Sequence, residues 1–117
     1  MSRVLLIEDE AAIREEVLDW LRFEGYEAVG AANGRLGLQM ARETLPDLIL
    51  CDIMMPVESG YDFVAWYHDR DQDTPIYYVT GLGEEHINRK GVVDVIQKPF
   101  SVKDIVNLLE HHCSQQL

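Results

Sequence analysis

A small set of polar side chains falls where chemistry is possible. Glu8, Asp9 and Glu10 follow directly on the apolar run Val4-Leu5-Leu6-Ile7. Asp52 ends the run Leu48-Ile49-Leu50-Cys51, Thr80 ends Ile76-Tyr77-Tyr78-Val79, and Lys98-Pro99 comes just after Val92 to Ile96. If these runs are neighbouring strands, the acids, the hydroxyl and the ammonium converge on one sheet end. Carboxylates at close range cannot all stay ionised without compensation. A hard divalent cation with oxygen ligands supplies it, and Mg2+ characteristically takes a few carboxylates and keeps several waters. Lys98 adds a fixed positive charge and Thr80 a hydrogen-bond donor. A phosphoryl group held by Mg2+, Lys98 and Thr80 would have its charge neutralised while Asp52 attacks phosphorus, and phosphoryl transfer needs mostly such positioning and electrostatic help. A carboxylate nucleophile gives a labile acyl phosphate. Each residue also has a plainer reading: an aspartate after a strand can cap a turn, Glu10 can cap a helix, and Lys98 and Thr80 can be an ordinary lysine and threonine at strand ends.

The elements that must position these residues are legible in the hydrophobic pattern. The four apolar runs read as strands buried on both faces, as in a parallel sheet. Tyr26 to Gly30 is more polar and fits an edge strand. Between them lie helical patterns. Ile13, Val17, Leu18 and Leu21 share a face over about Ala11 to Phe23, with Gly25 as the stop. Leu36, Met40 and Ala41 mark a second helix ending before Pro46. Tyr61 to His68 makes a third, with Phe63, Val64 and Tyr67 as core contacts. Ile105, Leu108 and Leu109 mark the last, entered from Ser101 as N-cap. His111 and His112 close it, where positive charge suits the helix dipole; with Cys113 they could be imagined as metal ligands, but a frayed helix end is the simpler reading. Strands alternating with helices imply a doubly wound α/β sheet whose ligands bind beyond the carboxyl ends of the strands.

The chain has 117 residues, enough for one domain with a real core and no second domain. The formal net charge of -11 repels phosphate backbones, so direct nucleic-acid binding is not expected. The cysteines Cys51 and Cys113 form no framework, and Cys51 fits a small buried residue. The first apolar run leads straight into acids, so it is no signal peptide, and no stretch reaches transmembrane length. A cytoplasmic protein without membrane association is the expectation. No repeat, linker or low-complexity segment interrupts the pattern, which uses the chain from Arg3 to about His112. A single domain over residues 1–117 is expected, and Met1 directly before the first strand favours an N-terminal position.

Four runs together, Val4-Leu5-Leu6-Ile7-Glu8-Asp9-Glu10, Asp52-Ile53-Met54-Met55-Pro56 with Gly60, Val79-Thr80-Gly81, and Gln97-Lys98-Pro99-Phe100, resemble the response-regulator receiver family. The resemblance spans nearly the whole chain in the right order. It implies a five-stranded parallel sheet in the order 2-1-3-4-5, helices on both faces, in a (βα)5 arrangement. It also implies roles: Asp52 as phosphoacceptor; Asp9, Asp52 and the carbonyl of Met54 as Mg2+ ligands, with Glu8 contributing through water; Lys98 paired with the phosphoryl group; Thr80 as the residue that moves toward it. The Lys98-Pro99 bond would be cis, aiming the lysine inward. The implied partners are a histidine kinase or phosphotransfer protein as donor, and an output domain or downstream protein as receiver of the signal.

Two departures from the family pattern matter. The place three residues before the lysine usually carries Tyr, Phe or His as an aromatic partner to the threonine; here it is Val95. Only seventeen residues separate Thr80 from Lys98, and they include Gly81, Gly83 and Gly91. Glycine costs helix stability, so the fourth helix is expected to be short, distorted or mobile, and dimerisation through that face is doubtful.

Three rivals follow from the same residues. A nucleotide- or flavin-binding loop needs free backbone N–H groups and small residues after the first strand, where this chain has three acids. An aspartyl phosphatase needs a second acid two residues beyond the nucleophile, where this chain has Met54, so the domain is not expected to be an enzyme beyond its own phosphorylation and dephosphorylation. The remaining alternative is a degenerate receiver that binds partners independently of phosphate.

Overall fold

The computed structural model describes residues 2–69, 74–83 and 86–115, the side chains of Val102 and of 112–115 excepted. The chain runs β1 (Arg3–Ile7), α1 (Ala11–Phe23), β2 (Glu27–Ala31), α2 (Gly34–Thr44), β3 (Leu48–Asp52), α3 (Gly60–His68), β4 (Ile76–Thr80), β5 (Asp94–Gln97) and α4 (Val102–Gln115). The five strands form one parallel sheet in the order β2-β1-β3-β4-β5, with the weak strand at an edge as its polarity predicts. The α-helices lie on both faces. Cores of this kind bury strands on two sides, which is why β3 and β4 are buried along their whole length.

On one face, Val17, Leu18 and Leu21 of α1 and Ile105 and Leu109 of α4 pack against Val4, Leu6, Leu48, Leu50, Tyr77 and Val79. On the other, Ala41 of α2 and Phe63, Val64 and Tyr67 of α3 pack against Leu5, Ile7, Ile49, Cys51, Ile76 and Tyr78. Cys51 is buried as a free thiol. The helix boundaries follow local chemistry. Gly25 takes φ +95°, which glycine adopts at little cost, and ends α1. Ser59 and Asp62 form a capping box at the start of α3. Ser101 receives the Asp104 N–H and donates its own N–H to the Asp104 carboxylate, opening α4 in the same way. Glu10 occupies the N-cap of α1 but its side chain makes no capping hydrogen bond, so its expected capping role is not realised.

Three details differ from expectation. The first is the face of α2: Leu36 is exposed and the buried positions are Gly34, Gly37 and Ala41. A Cβ at Gly37 would stand 2.5 Å from Ile7 Cδ1, so the helix approaches the sheet through its small residues and pushes Leu36 outward. The second is β5, which begins at Asp94: Val93 is exposed, and its N–H bonds Ile76 O ahead of the ladder. The third is the connection from β4 to β5. Among its described residues, 81–83 and 86–93, there is no α-helix, which extends the expected weakness of the fourth helix to its loss there. No helix among the described residues is long and apolar enough to cross a membrane.

Candidate phosphoacceptor site

The order β2-β1-β3 reverses the chain's direction of travel across the sheet at β1 and β3, and their carboxyl ends open the crevice where open α/β sheets bind ligands. Glu8 and Asp9 follow β1, and Asp52 is the last residue of β3. Carboxylate oxygens of Glu8, Asp9 and Asp52 lie within 4.8 Å of one another, with Glu8 and Asp52 buried and Asp9 half-buried. Lys98, just past β5, reaches across β4: its Nζ donates to Glu8 Oε1 at 2.8 Å and to Asp52 Oδ2 at 3.0 Å. The Met54 N–H donates to Asp52 Oδ1 at 3.0 Å, so both oxygens of Asp52 are oriented. Thr80 is fully buried at the end of β4, and its Oγ1 accepts the Leu82 N–H at 3.2 Å. The Lys98-Pro99 peptide bond is cis.

The residues expected to work together are therefore brought together: Glu8, Asp9, Asp52 and Lys98 in one cluster, with Thr80 on the adjacent strand end. His111 is not among the acidic cluster's residues, and the side chains of His112 and Cys113 lie outside the described residues.

Electrostatically the cluster is unbalanced, with three carboxylates against one ammonium. Burial pushes the Glu8 carboxyl from 4.5 up to about 7; Lys98 pulls it down and Asp52 pushes it further up. Burial alone would lower the Lys98 ammonium, but its hydrogen bonds to Glu8 and Asp52 outweigh that and hold it above its ordinary value. Glu8 Oε2 is buried without a hydrogen-bond partner. Buried polar atoms are normally satisfied, and an orphaned carboxylate oxygen beside two further acids fits a cation or its bound water. The donor set, all oxygen, suits Mg2+.

Two positions support the site from behind, of which Arg14 was not singled out from the sequence and Gly60 was noted there only as part of a motif. Arg14 on α1 donates through Nη1 to the carbonyl of Glu8 at 2.7 Å and so fixes the acidic turn from behind. Its stem passes over Gly30, where a Cβ would lie 3.1 Å from Arg14 Cδ. A basic residue one turn into the helix that follows three acids, opposite a glycine in an edge strand, is the signal that could have found it. Gly60 is the second. A Cβ there would stand 2.5 Å from the carbonyl oxygen of Asp52, and its N–H bonds Ile53 O, so only glycine lets α3 start this close to the end of β3.

The profile of the response regulator receiver domain matches residues 4–110. The transcriptional regulatory protein PdtaR of Mycobacterium tuberculosis is 34% identical over 113 residues, covering 92% of this chain and 55% of that protein. The phosphate regulon transcriptional regulatory protein PhoB of Escherichia coli is 37% identical over 110 residues, covering 89% and 48%. The chain thus spans about half the length of these curated relatives. Among solved structures, the chemotaxis protein CheY4 of Vibrio cholerae superposes with a TM-score of 0.87 at 32% identity, over 95% of this chain and 98% of that one. The response regulator TrrA of Thermotoga maritima, solved in complex with Mg2+-BeF, gives 0.85 at 26% identity over 96% and 99%. On the sheet order, the site and these likenesses, the chain belongs to the response regulator receiver domain family.

Proposed function

We propose that this chain is one receiver domain over residues 1–117, that it accepts a phosphoryl group on Asp52 from a phosphohistidine of a histidine kinase or phosphotransfer protein, and that it works in the cytoplasm within a two-component system. The observation that carries the reading is the convergence of Asp9, Asp52 and the buried, half-satisfied Glu8 on one crevice, with Lys98 bridging two of them.

Asp9, Asp52 and the carbonyl of Met54 would hold Mg2+, with Glu8 acting through a water. Bound there, the ion supplies the positive charge that offsets the oxygens of the transferring phosphoryl group. A carboxylate oxygen of Asp52 forms the new O–P bond as the P–N bond to the donor imidazole breaks, and the bond's electron pair stays on that nitrogen. The Met54 N–H holds the other oxygen of Asp52 in place. Lys98 leaves its ion pair with Asp52 and follows the charge onto a phosphoryl oxygen. Thr80 turns its hydroxyl from Leu82 toward the same group. Water later hydrolyses the acyl phosphate, and with Met54 two residues beyond the nucleophile no side-chain acid or base assists there. The domain is accordingly a signalling module rather than an enzyme acting on an external substrate, and its output is delivered to a further domain or a downstream protein.

The test is incubation with Mg2+ and acetyl phosphate or phosphoramidate, followed by intact mass. Gain of one phosphoryl group by the wild type, absent in Asp52→Asn and in EDTA, is the expected result. No gain from either donor, together with partner binding that ignores phosphorylation, would instead establish a phosphate-independent interaction module.

A further inference from the structure

A receiver must pass the state of Asp52 to a surface, and the position on β5 that pairs with Tyr78 is Val95, which has no polar atom and no ring to turn. Tyr61 stands where such a relay is needed. It is the second residue of α3, directly after the Gly60 that packs against the Asp52 carbonyl. Its ring meets Tyr78 edge-on, with centroids 5.5 Å apart and planes at 85°. Tyr78 is buried and lies two residues before Thr80, on the same side of β4. The Tyr61 hydroxyl accepts the Asn88 N–H at 3.2 Å, a bond across 27 residues into the connection between β4 and β5.

Thr80 and this connection are already coupled, because the Thr80 hydroxyl accepts the Leu82 N–H. Leu82 and Tyr61 line one cavity of about 570 Å³, while Tyr61, Tyr78 and Asn88 line its neighbour of about 520 Å³. Tyr61 borders both, so its ring lies between the cleft lined by Leu82 and the one lined by Asn88. The described part of the connection has no α-helical ladder of its own. It is tied to the rest of the domain by the bonds from Asn88 to Tyr61 and from Val93 to Ile76, by the contact of His68 Nε2 with Gly91 O at 2.7 Å, and by Ile87 and Val92 packed on the core. Segments without a helical ladder open locally at low cost, so loss of one such anchor shifts the part of the segment next to it.

We propose that Tyr61 takes the place of the β5 aromatic as the relay between Asp52 and the β4–β5 connection: rotation of Thr80 toward a phosphorylated Asp52 frees Leu82, Leu82 shifts against the Tyr61 ring, and the Tyr61–Asn88 bond gives way. This rests on the reading of Asp52 as phosphoacceptor and Thr80 as the responding residue. Tyr61 is a positioning residue in this scheme and touches no reacting atom.

The test is amide hydrogen exchange at Leu82 and Asn88, with and without excess acetyl phosphate and Mg2+, with intact mass recorded in parallel. In the wild type, phosphorylation speeds both amides roughly two- to tenfold, the range one hydrogen bond supports. Tyr61→Phe keeps the ring contact and removes the acceptor. It gains the phosphoryl group as the wild type does, and its Leu82 still responds, but its Asn88 exchanges fast in both states. A merely structural Tyr61 would leave the phosphorylation-dependent difference at Asn88 intact, and that result overturns the relay. So does an unchanged 13C resonance of the Tyr61 ring in phosphorylated wild type, which needs no variant. Absence of any phosphoryl gain by the wild type overturns the phosphoacceptor reading and the relay with it, and the mass separates the two failures.

Discussion

Glu8 is buried with one carboxylate oxygen unsatisfied and its pKa at about 7 rather than 4.5, so in metal-free protein it should work against folding at neutral pH. The folded state then binds more protons than the unfolded chain between pH 4.5 and about 7. Stability is therefore fully present below pH 4.5 and is lost as pH rises through about 7. Each pKa unit corresponds to about 1.36 kcal/mol, which caps the loss near 3 kcal/mol. Relaxation and water entry reduce it, so about 1–3 kcal/mol is expected. Glu8→Gln removes the titration while keeping an oxygen for Lys98. In EDTA, its thermal midpoint should match the wild type at pH 5 and exceed it at pH 7.5 by about 4–12 °C, taking about 4 °C per kcal/mol for a domain of this size. Mg2+ should reverse the order, because ionised Glu8 then has a positive neighbour and the glutamine supplies less charge. Urea unfolding at the two pH values, with and without Mg2+, gives the same comparison as free energies. Parallel pH dependence in the two proteins in EDTA would refute the reasoning, since Glu8 would then carry no buried charge.

Other consequences follow from the same geometry. Lys98→Met removes the cation paired with the carboxylates of both Glu8 and Asp52; phosphorylation by acetyl phosphate should slow on the order of 100-fold, as for loss of one preorganised donor to developing charge, while Mg2+ binding measured by titration strengthens. Arg14→Gln deletes the bond that holds the Glu8 carbonyl, and Mg2+ affinity should fall about two- to tenfold with Arg14→Lys intermediate; equal affinity in all three proteins would count against a positioning role. Gly60→Ala puts a methyl into backbone 2.5 Å away and should cost about 1–3 kcal/mol in urea unfolding, and an unchanged midpoint would mean the turn has room to yield.

Sequence was most informative where burial on both faces leaves little choice of residue. The runs Val4 to Ile7, Leu48 to Cys51 and Ile76 to Val79 are apolar throughout, and their strand ends carry the acids and threonine into one crevice. It was least informative where small residues decide geometry. Gly34, Gly37 and Ala41 form the buried side of α2, and no hydrophobic pattern marks a face made of glycine; Leu36 misled because its size implied burial. β5 was harder because Val92 and Val93 extend the apolar run without joining the ladder, Val93 staying exposed. In the site, charge and spacing pointed to Glu8, Asp9, Asp52 and Lys98, whereas Arg14 acts through a backbone carbonyl. Its role depends on a side-chain path over Gly30 that only coordinates reveal. Tyr61 is hidden for a similar reason, since a tyrosine in an amphipathic helix reads as core until its hydroxyl is seen to meet Asn88.

The most direct test of the account is chemical identification of the phosphorylated residue. Protein treated with Mg2+ and acetyl phosphate is reduced with borohydride, which converts an aspartyl phosphate to homoserine, and the digest is sequenced by mass spectrometry. The account predicts homoserine in place of Asp52 and at no other acid. Homoserine at Asp9, 5-hydroxynorvaline at Glu8, or a stable phosphate on Ser, Thr, His or Lys with Asp52 unmodified, would contradict it.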